Sequence, residues 1–455
     1  MNLINLLGKQ KFNKFLAVKI ITAPPFSIEY NHRIFPSIIR KRASKIDESL
    51  QQWALAQADF FSESDWRDIQ LKKLKNILVH AGHNVFYWRE LFKKINFNPE
   101  KFKDFNDLKK LPVLTRAEIK KIPIKNLLAR NTDRERTMEQ FTSSSTGEPL
   151  RIFQDEKDLF LRRICTYETY RWMNVSVDAK ICIFGLESAR NLQGLGMHIS
   201  MIDMESVKFR KRIYNDFIAY NPRLLIGTPA HLDRVLYFFQ KDNISFKIES
   251  IIYIGESMNA NLRHRLSDFF SSKIFSAYGA REASPLGIDC GNGEQNLHIV
   301  PWMNYLEIVE GKIIVTNLWN MVMPFIRYDV GDYGSWRNVN CQCGRQLPIF
   351  EVEGRILGNI DLPYGVSYPV NHILAYFTVN YHQEIERMQI EQIGLANLIF
   401  RYKPARPSAI IIIEKKGREY FNGILGNKIK VAFEITDYFP SNQNGKIPIF
   451  IKKLV

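Results

Sequence analysis

The chain has few of the features that mark secreted, membrane-spanning or disordered proteins. Its 455 residues include only five cysteines. An odd number of thiols in so long a polypeptide argues against a disulfide framework and for a reducing, cytoplasmic compartment. The basic opening, with Lys9, Lys11, Lys14 and Lys19, is not followed by an uninterrupted apolar segment or a cleavage-like site, so neither a signal peptide nor a transmembrane helix is expected. Internal repeats and low-complexity tracts are absent from the sequence. Acidic residues are also in deficit, since 47 Asp+Glu face 63 Lys+Arg and leave a formal charge of +16. Such a surface attracts nucleotides, nucleic acids or anionic membranes without choosing among them. No recognisable RNA-binding signature accompanies the charge, and a nucleic-acid partner is not expected.

The rest of the composition, 45% hydrophobic and 24% charged, is sufficient for a large globular core. The basic amphipathic stretch from Asn2 to Ile21 reads as a helix packed on its own domain, with peripheral contact to an anionic membrane as the alternative. From Ser44 to Lys110, apolar residues such as Trp53, Leu55, Leu71, Leu74, Ile77 and Leu78 recur at helical spacing, which predicts a helical cap. The helices stop at Leu111-Pro112-Val113-Leu114-Thr115, and Thr115 with Glu118 forms a capping box for a new helix. Beyond Gln140, β-rich runs at Ile181 to Phe184, Leu224 to Ile226, Ile251 to Ile254 and Ile274 to Ser276 alternate with amphipathic segments, the pattern of an α/β sheet. The character changes after Gly354, so the reading is a large α/β domain over 1–353, with 1–110 its mainly helical cap, and a small α+β C-terminal domain over 354–455.

In open α/β sheets, ligands sit where strands end in loops. The first such loop is Thr142-Ser143-Ser144-Ser145-Thr146-Gly147-Glu148-Pro149, whose hydroxyls and amides suit a polyphosphate; taken alone, a Ser/Thr run reads as well as a solvated turn. It is followed by Ser276-Ala277-Tyr278-Gly279-Ala280-Arg281-Glu282, Arg327-Tyr328-Asp329-Val330-Gly331-Asp332, Gly354-Arg355 and Asn444-Gly445-Lys446. In this order and spacing the set resembles the acyl-adenylate-forming (AMP-binding) superfamily, and in particular its phenylacetate-CoA ligase branch with the capsular-polysaccharide (CapK-type) members. Leu78-Val79-His80-Ala81, Phe86-Tyr87-Trp88-Arg89 and Leu108 to Thr115 carry the likeness to that branch. The resemblance runs from about Leu71 to the C-terminus.

The resemblance implies an enzyme that uses ATP and Mg²⁺ to convert a carboxylic acid to an acyl-AMP, with release of pyrophosphate. Bringing a carboxylate to a triphosphate requires charge neutralisation and in-line positioning. By the same resemblance, Thr142, Ser143, Ser144, Ser145, Thr146 and Gly147 close over the phosphates, and Tyr278 and Gly279 lie against the adenine. Glu282 holds Mg²⁺, Asp332 accepts the ribose hydroxyls, and Gly255 and Glu256 line the adenine and acid. Lys446, on a mobile small domain, is the catalytic cation of the first half-reaction, and Arg355 stands at the hinge. CoA is the acceptor the resemblance implies, with an amine, a sugar or a separate carrier as alternatives. Three departures bear on activity. Ile356, Leu357 and Gly358 follow Arg355 where acidic residues are usual; Ser144 replaces a glycine; and Arg281 stands where Thr or Ser is usual. Two further readings stay open: a nucleotidyltransferase that leaves AMP on its substrate, and a binding or scaffold protein of the same fold with weakened catalysis.

A second constellation is Cys290, His298, Cys341 and Cys343, with Gly291, Gly293 and Gly344 allowing tight turns. Three thiolates and an imidazole make a closed tetrahedral set, which predicts structural Zn²⁺ tying the loop after Glu282 to the loop after Asp332. The alternative is that Cys341 and Cys343 are unrelated surface thiols. His231, after Gly227-Thr228-Pro229-Ala230, reads as a helix-start residue before a ligand contact. Gly194, Gly196 and His198 lack the third glycine and the strand context of a dinucleotide fingerprint.

Overall fold

A computed structural model describes residues 3–22, 49, 52, 54–59, 61–130, 132, 137–141, 150–176, 179–185, 196–255, 258, 260–291, 296–354, 359–363, 367–381, 384–426, 429–440 and 449–453. They form two compact units. The first comprises 1–140, 152–177 and 276–353; the second comprises 141–151, 178–275 and 354–455. The class is mixed α/β, as the alternating sequence pattern predicts.

The helical lead-in of the first unit consists chiefly of Glu63–Asn84 and Phe86–Lys94. Ser62 caps the longer helix, accepting from the Asp65 amide while the Asp65 carboxylate accepts from the Ser62 amide, so two orphan donors are satisfied reciprocally. Its inner face is Trp66, Ile69, Leu74, Ile77, Leu78 and Ala81, all buried. Val85 separates the two helices: its extended backbone makes an isolated bridge to Ala129. The predicted Thr115–Glu118 capping box is present at the start of Arg116–Lys121. Just before it, Leu114 is bridged to Tyr328, which ties the break between helices to a strand that carries motif residues.

Seven strands of this unit are neighbours in the order Asn304–Val309, Lys312–Asn317, Tyr328–Arg337, Ile349–Gly354, Leu297–Ile299, Ala283–Asp289 and Lys273–Ala280, the last entering from the second unit. Antiparallel pairing sets Tyr278 opposite Gly287 and His298 opposite Ile288. The helix Glu156–Trp172 packs on this sheet, with Asp155 as its N-cap accepting from the Asp158 amide. Its preceding strand, Arg151–Asp155, pairs with Thr137–Phe141, so both ends of the hydroxyl-rich turn are fixed; the turn itself, Thr142 to Pro149, lies outside the described residues.

In the second unit, Ser250–Ile254, Leu224–Gly227, Ile181–Gly185 and Met197–Ser200 run parallel in that order. Their β-branched and leucine-rich composition suits strands covered on both faces. Val207–Tyr220, Pro229–Lys241 and Ala260–Phe270 supply Phe217, Leu232, Leu236, Phe239, Leu266 and Phe270 to their core. The C-terminal part holds a four-stranded sheet in the order Lys430–Ile435, Asn397–Pro404, Ile385–Gly394 and Phe450–Lys452, antiparallel at the centre and parallel at both edges. Phe377, Phe400, Tyr420 and Phe421 build its core with the helices Val370–Tyr381 and Ala409–Leu425. The apolar residues Ala409 to Ile413 open the second of these helices.

The amphipathic N-terminal stretch is a helix, Leu3–Thr22, with Ala17 and Ile21 buried and Phe15 and Leu16 exposed. It packs on Glu63–Asn84, and Lys14 pairs with Asp65 at 2.6 Å. No described helix is long and apolar enough to cross a membrane.

Candidate active site and metal centre

Two tyrosines organise the motif residues of the first unit. The Tyr278 hydroxyl donates to Asp332 Oδ2 at 2.7 Å, joining the strand Lys273–Ala280 to Tyr328–Arg337. The Tyr328 hydroxyl donates to Glu282 Oε1 at 2.8 Å, and Asn317 Nδ2 donates to the Glu282 carbonyl at 3.2 Å. Glu282 is buried, so this phenol orients a carboxylate that water barely reaches. An oriented carboxylate is the donor type that a hard divalent cation such as Mg²⁺ accepts.

Gly279 sits at an irregularity in the pairing of Lys273–Ala280 with Ala283–Asp289. A Cβ there would lie 2.5 Å from Ser284 Oγ, so the close approach of the two strands requires a glycine. Arg281 follows, exposed in the turn. Burial of its inner portion pushes the guanidinium below its ordinary value; Glu282 opposes this and the positive charge of Arg162 adds to it.

Arg327 has a structural task. With φ at 48° it occupies the left-handed region, and its guanidinium pairs with both oxygens of Glu307 at 3.1 Å while donating to the Lys109 and Leu111 carbonyls. These bonds fasten the end of the helical lead-in to the motif strand. Asp329 turns the chain by accepting from the Gly331 amide at 2.8 Å, with Gly331 at φ 83°.

Gly255 belongs to the second unit, where it ends Ser250–Ile254 with φ at 83°. A Cβ at this position would lie 3.8 Å from Thr228 Cγ2, so the backbone angle, and not crowding, is what calls for glycine. Thr142, Ser143, Ser144, Ser145, Thr146, Gly147, Glu256, Arg355 and Lys446 lie outside the described residues. His231 occupies the first turn of Pro229–Lys241, its amide bonded to Thr228 Oγ1 at 3.3 Å. Gly196 leads directly into the strand Met197–Ser200.

The second constellation is compact. One ligand atom from each of Cys290, His298, Cys341 and Cys343 lies within 4.8 Å of every other. Cys290 Sγ is 3.3 Å from Cys341 Sγ, and Cys343 Sγ is 3.4 Å from His298 Nε2. A tetrahedron with metal–sulfur bonds of about 2.3 Å has edges of roughly 3.7 Å, so the donor set has the dimensions of a zinc centre. Burial pushes the His298 imidazole down to about 4, against the Leu347 carbonyl and with the help of Arg345. The ring is therefore neutral near pH 7, as a metal ligand must be. Its Nδ1 lies 3.3 Å from the Leu347 carbonyl, which leaves Nε2 turned to the cysteines. Burial would raise the Cys343 thiol, but hydrogen bonds from the Arg345 backbone and side chain and from the other two cysteines bring it below the ordinary value. Thiolates are the ligating form.

No family model matches the chain. Among curated proteins it is similar to the phenylacetate-coenzyme A ligase of Thermus thermophilus, 23% identical over 323 residues that cover 65% of this chain and 70% of the relative. The phenylacetate-coenzyme A ligase of Aromatoleum evansii is 22% identical over 297 residues, covering 60% of this chain and 66% of the relative. Among solved structures, 2-hydroxyisobutyryl-CoA ligase with 2-HIB-AMP and CoA in the thioesterification state superposes with a TM-score of 0.63 at 15% identity, covering 94% of this chain and 96% of that one. The same ligase in a postadenylation state gives 0.58 at 15% identity, over 94% and 95%. The fold is that of these ligase structures. In sequence the chain is acid–CoA ligase-like.

Within this fold, the structure joins Tyr278 to Asp332 and Tyr328 to Glu282, so that two phenolic hydrogen bonds tie the strand Tyr328–Arg337 to Lys273–Ala280 and to the turn that follows it. The reading of residue types missed Tyr328 as a positioning residue, although it stands inside a motif already singled out. It also missed Asp59, Trp172 and Arg345 around the cysteine cluster. Isolated residues of these types carry no spacing signal.

Proposed function

We propose that the chain activates a carboxylic acid with ATP, forming an acyl-AMP and releasing pyrophosphate, and then passes the acyl group to an acceptor. The observation that carries this reading is the Tyr278–Asp332 and Tyr328–Glu282 pair of hydrogen bonds. They pre-orient one carboxylate suited to ribose hydroxyls and one suited to Mg²⁺, within one unit of an adenylate-forming fold.

In this reading ATP lies across the strand ends, with Tyr278 and Gly279 beside the adenine and Gly255 and Glu256 lining the adenine and acid. The hydroxyl-rich turn Thr142 to Gly147 encloses the phosphates. Mg²⁺ held by Glu282 supplies charge neutralisation for the phosphates. Lys446, on a mobile domain beginning near Gly354, delivers the cation to the reacting oxygens, and Arg355 acts at the hinge. CoA is the acceptor supported by likeness to the CoA ligases. The Cys290, His298, Cys341 and Cys343 set supports structural zinc and, with it, placement beside the capsule-biosynthesis members of the branch. The cytoplasm supplies the nucleotide this reading needs.

ATP–pyrophosphate exchange over a panel of carboxylic acids tests the proposal. At least one acid supports exchange, and Lys446→Ala lowers the rate by about two orders of magnitude or more, the scale of a preorganised charge contact. Undiminished exchange in the variant would refute the role of Lys446; absence of exchange with every acid would refute adenylation.

A further inference from the structure

A buried carboxylate links the cysteine cluster to the helical lead-in. Asp59 follows the helical residues 54–58 and is 5% exposed. Arg171 grips it through Nη1 to Oδ2 at 2.6 Å and Nη2 to Oδ1 at 2.9 Å. Trp172 Nε1 donates to Oδ1 at 3.2 Å, and Arg345 Nη2 reaches Oδ2 at 3.5 Å. Glu168, also buried, takes a second contact from Arg171, with Nε to Oε2 at 2.9 Å. Two carboxylates and two guanidiniums thus close a neutral quartet. That balance is what permits two carboxylates to be buried side by side against half-buried guanidiniums, and removal of one group leaves its partners uncompensated.

Two of the groups on Asp59 lead directly to the metal ligands. Arg345 is two residues beyond Cys343 and donates to its sulfur from both backbone and side chain. The Arg345 guanidinium also lies over the Trp172 ring, 4.3 Å from its centroid. The Trp172 ring in turn meets the His298 imidazole edge-on, at 6.0 Å and 90°. One carboxylate therefore fixes the residue that holds Cys343 and the residue that holds His298.

We infer that Asp59 is the positioning residue of the cysteine–histidine metal centre, so that metal ligation and seating of the chain around residues 54–59 on the helix Glu156–Trp172 form one cooperative event. The inference rests on the zinc reading above. Outer partners of metal ligands act by fixing ligand orientation, and their loss typically weakens metal binding by about 10–100-fold.

The test is zinc affinity of the full chain by competition with a chromophoric chelator, alongside metal content and circular dichroism. Asp59→Asn, which keeps the shape and removes the charge, weakens zinc binding by about tenfold or more. If that variant does not fold, Arg345→Met cuts the link to Cys343 while leaving the Asp59–Arg171 pair in place, and shows the same loss. A folded Asp59→Asn or Arg345→Met variant with lowered thermal stability and wild-type zinc affinity would overturn the inference and leave Asp59 a stabilising residue only. Wild-type protein that binds no zinc would overturn the metal reading itself, and the inference with it.

Discussion

The Tyr278 hydroxyl holds the Asp332 carboxylate at 2.7 Å, and that contact sets how the site responds to single substitutions. In the proposed reading, a carboxylate already oriented by a phenol accepts two ribose hydroxyls with little rearrangement. Hydrogen bonds to a charged group contribute about 1.5–3 kcal/mol each, so Asp332→Ala raises the KM for ATP in pyrophosphate exchange by about 10–100-fold. Tyr278→Phe keeps the ring and produces a smaller rise; a wild-type KM in Asp332→Ala removes this residue from the ribose site. Lys73 presents the opposite problem. It is 3% exposed on Glu63–Asn84, with Nζ 3.1 Å from the centroid of the Trp319 ring. Burial, with Lys72 adding, holds its ammonium well below the usual value of 10.5. Between that lowered value and 10.5 the unfolded chain binds more protons than the folded one, so stability rises with pH across this window. Lys73→Met removes the charge at nearly constant volume. It therefore stabilises the fold near pH 7, by about 1–3 kcal/mol, and flattens the alkaline rise; urea titrations at pH 7 and pH 10 read both effects. A less stable variant at pH 7 would show that the contact with Trp319 outweighs desolvation.

At the scale of elements, the site depends on how closely two strands approach. Alanine at Gly279 would set a methyl against Ser284 Oγ at 2.5 Å and Ser284 Cβ at 3.0 Å, so Ala283–Asp289 must move away from Lys273–Ala280. Overpacking of this kind costs about 1–3 kcal/mol. It also displaces the turn bearing Glu282. Gly279→Ala therefore lowers thermal stability and weakens AMP binding together, as calorimetric titration would show; unaltered AMP affinity would separate the strand pair from the nucleotide site. Much of this architecture was legible beforehand. The four β-rich runs are strands, Ile181–Gly185, Leu224–Gly227, Ser250–Ile254 and Lys273–Ala280, because β-branched composition and turn residues both marked them. The Thr115–Glu118 box was legible because its two hydrogen bonds are local in sequence. Asp59 was not, since its partners Arg171, Trp172 and Arg345 are 112, 113 and 286 residues away. Tyr328 could be quoted as part of a motif, but its grip on Glu282 spans 46 residues. Contacts made across a sheet leave no local pattern.

Across the whole molecule, the cysteine cluster joins segments that are remote in the chain but belong to the same unit. Cys290 follows the strand Ala283–Asp289, His298 lies within Leu297–Ile299, and Cys341 and Cys343 follow Tyr328–Arg337. The same strands carry the turn at Glu282 and the carboxylate of Asp332. In the zinc reading, a metal holding their far ends would restrict the opening of a sheet region that otherwise relies on short pairings, such as Ile349–His298 and Phe350–Leu297. Structural zinc contributes directly to folding free energy, and local opening is measured by amide exchange. Chelation therefore raises exchange first in 297–299 and 341–347, then in 54–59 through Asp59. The paired strands Ile385–Gly394 and Asn397–Pro404, which share no residue with the cluster, keep their protection. Peptide-resolved hydrogen exchange with and without chelator distinguishes this order. Equal loss of protection in both units would mean that the metal acts on the molecule as a whole. Retention of protection in 54–59 while the cysteine loops open would uncouple the metal centre from the helical lead-in.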